Sequence, residues 1–268
     1  MSNSLHKISI LSNGAKVVTR TMDDTESVTV AFFIGAGGRY EDMKTEYGAA
    51  HFLEHLLFKG TTKRPEARMI SEEVDSVGGY MNAYTAEDHT SYYIKIPKNY
   101  FALAFGILSD IITDPLFKPE EVERERGVIL EEMNVYKDDP GRYVFDLVGD
   151  LLWPKDSLRT NVIGTPEIIS KMPRQVIIDY FKSLYCMDNL VISVAGNVGH
   201  AKVVELARKA RLTWKAGGGA KGSRAVARKA PAKTAVTKKA APKAAPTNRV
   251  KAQKTPVKKV AANKAAEK

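Results

Sequence analysis

Between Tyr47 and Gly60 the chain sets two histidines and a glutamate into a run that is otherwise mostly apolar: Ala49, Ala50, Phe52, Leu53, Leu56, Leu57 and Phe58. That is too much apolar surface for a solvent-facing helix, so a helix here is mostly buried. Its polar side chains, His51, Glu54 and His55, must then find partners inside the protein. His51 and His55 lie four residues apart and leave one helix face together, with Glu54 between them in sequence. Gly60 supplies a stop signal for the helix.

Two imidazoles so placed make a clamp for zinc: neutral ring nitrogens bind the ion and the neighbouring carboxylate takes a proton from its water. The H-x-x-E-H order is one of the metallopeptidase signatures. The pattern also arises by chance on amphipathic helices with two surface histidines, so it is the apolar context that gives it weight here. A catalytic zinc usually has three protein ligands, and the third must come from elsewhere. The best candidates lie in Pro119–Met133, a segment that opens with proline and acids suited to a helix N-terminus. There Val122, Ile129 and Met133 form an apolar stripe, while Glu125 and Glu132 share another face. Taken alone, acids in this pattern are more often solvated charges paired with neighbours such as Arg124 and Arg126.

Three stretches carry a family likeness: His51–His55 followed by Phe58-Lys59-Gly60-Thr61, then Gly78–Thr85, and Glu123–Met133. With them the chain resembles the pitrilysin family of zinc peptidases, in its processing-peptidase branch, from Phe32 to about Asp139. The wording around Asp188-Asn189-Leu190 and Gly196-Asn197-Val198 extends the likeness to about residues 6 to 210. In that family the third ligand falls seventy-seven positions after the second histidine, which is Glu132. The resemblance implies His51, His55 and Glu132 as ligands of about one Zn²⁺ per chain, Glu54 as general base, and Glu125 as a supporting carboxylate. It also implies a peptide substrate, whose backbone pairs with the strand at Asn82-Ala83 by strand addition.

The remaining pattern is that of an α+β fold, a mixed or antiparallel sheet with helices packed on it, matching one half of the family's clamshell. Strands are expected at 7–11, 15–19 and 27–34, the first two joined at Asn13-Gly14. Gly78–Thr85 and His89–Pro97 read as a further strand pair turning at Ala86-Glu87-Asp88, and Leu190–Gly196 as a buried strand. On its residues alone the pair is an ordinary hairpin, and His89 belongs to its turn, outside any metal spacing. Helices are expected at about 65–76, 98–113, 119–136, 141–153 and 200–212, with two more between 166 and 184.

After Trp214 the composition changes. Lys215–Lys268 holds sixteen Lys or Arg against one acid, Glu267, and no aromatic residue, whereas residues 1–214 hold 25 basic and 30 acidic side chains. The net charge of +10 therefore describes the tail and not the rest. We read 1–214 as the zinc-peptidase N-terminal catalytic domain and 215–268 as a disordered basic tail, since such a stretch cannot bury enough apolar area to offset its ordering entropy. Counterion release on nucleic acid or another acidic surface is the contact its charge suits, against the plainer reading of a solubilising extension.

Family members carry two related halves, and 268 residues hold one. The expectation is that a partner chain or a homo-oligomer supplies the other, the alternative being a weakly active or non-catalytic relative that serves as a binding subunit. A single cysteine, Cys186, excludes an intrachain disulfide. No apolar run is long enough to span a membrane and the first residues lack signal or transit character, so the expected compartment is the cytoplasm.

Overall fold

The computed structural model describes residues 6–153 and 161–210. Strands β1 (Lys7–Ile10), β2 (Lys16–Thr21), β3 (Ser27–Ile34), β4 (Tyr80–Thr85), β5 (Thr90–Pro97) and β6 (Leu190–Gly196) form one sheet in the order β1-β2-β6-β3-β5-β4. The pair β2 and β6 is parallel and the other neighbours are antiparallel, so the sheet is mixed, as expected.

Alternation decides which face is covered. Val28, Val30, Phe32 and Ile34 of β3 are buried in strict period two, and Tyr92, Ile94 and Ile96 of β5 and Leu190, Ile192 and Val194 of β6 join them. Phe32 stands opposite both Tyr92 and Ile192. Helix α3 (Phe101–Thr113) packs on β3 and β5, with Phe105 edge-on to Phe32 at 5.3 Å between ring centroids. Each such side chain, fully buried, contributes about 1.5–3 kcal/mol relative to exposure. The strand at Leu190–Gly196 is covered on one face only, and not on both.

Helix α1 (Ala49–Leu57) is wedged among β4, α4 (Pro119–Lys137) and α7 (Arg174–Leu184), which accounts for its apolar residues on so many sides. The other helices are α2 (Ala67–Asp75), α5 (Pro140–Leu152), the single turn α6 (Pro166–Ile169) and α8 (His200–Lys209). In the stretch expected as helix from 98, a 3₁₀ turn covers Lys98–Tyr100 before α3 begins. The hairpin at Asn13-Gly14 closes as expected between Leu11 and Ala15: the Leu11 N–H meets Ala15 O at 2.8 Å and the Gly14 N–H meets Leu11 O at 3.0 Å, with Leu11 and Ala15 buried in the core. Gly14, at φ +92°, lies against Asp188 there, leaving no room for a side chain. The boundary at 214 and the basic tail 215–268 lie outside the described residues.

Candidate metal centre

The two histidines and Glu54 ride on α1, whose N-terminus is fixed from outside the helix. Glu41, 7 % exposed, accepts the N–H of Gly48 at 2.8 Å through Oε2 and that of Ala50 at 2.7 Å through Oε1. Those are groups that a helix start leaves without intrahelical partners. Gly48 itself sits at φ +93°, and a Cβ there would come within 2.7 Å of Ile163 O. The helix therefore enters the site with its height and rotation set.

Across from it, α4 presents Glu125 and Glu132. Glu132 Oε2 lies 3.8 Å from His51 Nε2 and 3.6 Å from His55 Nε2, and one donor atom of each of the three residues lies within 4.8 Å of the others. Ligand atoms about 2.0–2.1 Å from a tetrahedral ion stand about 3.3 Å apart, so the set is slightly wider than a loaded zinc site and fits one. Burial, and then the neighbouring His55, hold the His51 imidazole down to about 3, so the ring is neutral at ordinary pH and keeps a lone pair for a metal. Its Nδ1 is buried with no hydrogen-bond partner among the described residues.

Glu125 is buried and lies outside that group. Its Oε2 is 3.1 Å from His55 Nδ1, and its Oε1 is 2.8 Å from Lys59 Nζ. Burial pushes its carboxyl up, but the His55 and Lys59 contacts outweigh that and hold it below the usual range. Arg124 and Arg126 do not take these acids: they pair with Glu121 and Glu123 respectively, and Arg126 also binds the carbonyls of Ile169 and Met172. The reading of Glu125 and Glu132 as solvated partners of those arginines is thereby overturned.

Glu54 has its Oε2 2.5 Å from the hydroxyl of Thr85, at the end of β4. Burial raises its carboxyl above the ordinary glutamate value, against the lowering effect of the Thr85 hydrogen bond and of His55. Asn82 and Ala83 lie earlier on β4, the outermost strand of this side of the sheet. The Ala83 N–H is met by Asn82 Oδ1 at 2.8 Å, and Asn82 Nδ2 reaches the Tyr80 hydroxyl at 2.8 Å. His89 bonds Asp88 and Tyr84, away from the ligands, as its place in the turn requires.

A cleft of about 540 Å³ opens beside the ligands, its lining including His51, Thr85, Glu132, Tyr136, Asp146 and Trp153. Asp146 accepts from the Tyr136 hydroxyl at 3.1 Å and from Asn161 Nδ2 at 2.8 Å. Glu41, Lys59 and Thr85 were not assigned roles from the sequence. Nothing in spacing connects 41 to 48, or 85 to 54: the first contact is made by the turn before α1 and the second by the packing of α1 on β4.

Residues 16–166 match the family model described as insulinase, peptidase family M16. The chain is 39% identical over 200 residues to an uncharacterized zinc protease of Streptomyces coelicolor, covering 75% of this chain and 43% of that protein. It is 38% identical over 200 residues to the mitochondrial-processing peptidase subunit beta of Dictyostelium discoideum, covering 74% and 42%. Among solved structures, a protease from Helicobacter pylori superposes with a TM-score of 0.73 at 27% identity, over 78% of this chain and 50% of that one. The chain thus spans about half the length of the curated relatives it matches. These likenesses support a peptidase role, and the names of the relatives point to zinc for the His51, His55 and Glu132 group. Motif, fold and relatives agree: the chain belongs to the insulinase family of peptidases, peptidase family M16.

Proposed function

We propose that this chain is the catalytic half of a zinc-dependent metalloendopeptidase that hydrolyses extended peptides or presequence-like segments. The observation that carries the reading is the convergence of His51, His55 and Glu132 next to the half-buried carboxylate of Glu54. His51, His55 and Glu132 would hold the ion through two imidazole nitrogens and one carboxylate oxygen. Zinc, when bound there, lowers the pKa of water and polarises the carbonyl to be cleaved. Glu54 accepts the proton of the attacking water and hands it to the departing amine nitrogen. Glu125 orients the His55 ring by taking its Nδ1 proton as a hydrogen bond.

The substrate lies as an added strand along β4 at Asn82-Ala83, where the Asn82 side chain now capping the Ala83 N–H gives way to a peptide carbonyl. A second half, from another chain or another copy, completes the chamber. Supporting this are the span of about half the relatives' length and the exposed apolar side chains of α5, with Phe145 74% and Leu151 79% exposed. A subunit that only binds would have no need of a carboxylate beside the metal pair. The charge of Lys215–Lys268 suits an added salt-sensitive contact with a polyanion.

The test is cleavage of a quenched peptide library by the zinc-loaded chain, alone and with a companion half, against Glu54→Gln. Turnover by wild type, with zinc retained and turnover lost in Glu54→Gln, supports the reading. Equal turnover in both refutes the role of Glu54, and zinc bound without cleavage under either condition refutes the peptidase.

A further inference from the structure

On the zinc-site reading just given, we infer that Lys59 is a positioning residue for the metal centre: its ammonium fixes the Glu125 carboxylate against His55 Nδ1 and so presents His55 Nε2 to the ion.

The two oxygens of Glu125 are divided between two partners, Lys59 Nζ at 2.8 Å on Oε1 and His55 Nδ1 at 3.1 Å on Oε2. This is not a surface pair. The Glu125 side chain is 4% exposed and that of Lys59 28%, so the carboxylate has little access to water and Lys59 is the cation that compensates it. The nearby arginines are taken by Glu121 and Glu123. Removing one partner of a buried ion pair leaves a charge that the surroundings must relieve. The easiest relief for a glutamate on a helix is rotation toward solvent, which withdraws Oε2 from His55. The ring is then free to turn and to exchange its tautomer, and Nε2 loses its fixed direction toward Glu132, now 3.6 Å away.

Lys59 can serve this way because its backbone is anchored. Its N–H closes the end of α1 on Leu56 O at 3.1 Å. The next residue, Gly60, has its carbonyl bonded to Leu116 N at 3.1 Å, and Thr61 bridges Pro115. Four residues after His55, the side chain leaves toward the same helix, α4, that carries Glu125.

The experiment measures zinc affinity by competition with a chromophoric chelator for wild type, Lys59→Met and Lys59→Arg, together with the ¹⁵N shifts of the His55 ring in the zinc-free chains. We expect Lys59→Met to weaken zinc binding by about tenfold or more, the scale seen for outer partners of metal ligands. Lys59→Arg should restore most of it, and the Nδ1–H form of His55 should lose its dominance in Lys59→Met alone. Should Lys59→Met fail to fold, Lys59→Gln replaces it, with the same expectation. Wild-type affinity in the uncharged variant, or an unchanged His55 ring signal, overturns the role of Lys59 and leaves the zinc site standing. A wild-type chain that binds no zinc overturns both.

Discussion

Thr85 donates its hydroxyl proton to Glu54 Oε2 across 2.5 Å, so the carboxylate beside the metal ligands is held from the edge of the sheet as well as from its own helix. Thr85 faces Thr90 in register, and Thr90 is itself buried and tied to Ala36 O at 2.8 Å. The anchor is therefore rigid. Thr85→Val is expected to lower kcat by about tenfold, equivalent to about 1.4 kcal/mol of transition-state stabilisation, with KM little changed. Thr85→Ser, which keeps the hydroxyl, should stay close to wild type. Steady-state kinetics on one peptide decides it, and equal losses in both variants would remove the hydrogen bond from the account.

Glu41 links the turn at 38–40 to the start of α1 through two backbone N–H groups. Glu41→Ala leaves both donors buried without an acceptor and should cost about 2–4 kcal/mol of folding stability. Glu41→Gln retains a carbonyl oxygen for one of them and should fall between. Urea melts of the three proteins give the order; an alanine variant as stable as wild type contradicts it.

Phe145 and Leu151 project from α5 with most of their surface bare, next to the cleft in the case of Phe145. Replacing both with Glu should change the unfolding free energy by only about 0.5 kcal/mol, because neither side chain is packed. The same change should abolish association with a companion half or a second copy, measured by sedimentation at several concentrations. Undiminished association would move the docking face elsewhere.

His200, the first residue of α8, joins that helix to the sheet through Ser9 Oγ and Thr19 Oγ1, each at 2.8 Å. Burial, and then the charge of Lys7, hold its pKa below the ordinary histidine value. The unfolded chain thus takes up the proton more readily than the folded one. Its contribution is whole above about pH 6.5 and is lost as pH falls through the lower folded value. Denaturant melts at neutral and mildly acidic pH should show a smaller acid loss for His200→Gln than for wild type. An equal or larger loss in the variant would contradict this.

Much of this was legible in the chain because two signals were local. The apolar context of His51–His55 announced a buried helix with polar cargo, and the run Ser27–Ile34 announced a strand, which the structure buries in period two. The start of α4 followed from Pro119 and the acids behind it, while the start of α5 is fixed by Pro140 and by Asp139, whose side chain accepts from Gly141 and Arg142. What spacing could not supply was whatever tertiary packing brings together: Thr85 of β4 on Glu54, Glu41 on the start of α1, and, through the packing of α4 on α1, the choice of Glu125 for His55 and Glu132 for the ligand set. Glu132 was reached through family likeness, since on its helix it differs from its neighbours by nothing local. The hairpin at Asn13-Gly14 was legible too, its turn closing between Leu11 and Ala15.

The central claim is that two rings of α1 and one acid of α4 jointly hold zinc, and X-ray absorption at the zinc edge of the dialysed chain tests it most directly. The account predicts about one zinc per chain, with two imidazole nitrogens and a carboxylate oxygen at about 2.0–2.2 Å, and loss of the oxygen ligand in Glu132→Gln. A chain that keeps no zinc, or a spectrum without imidazole scattering, would contradict it.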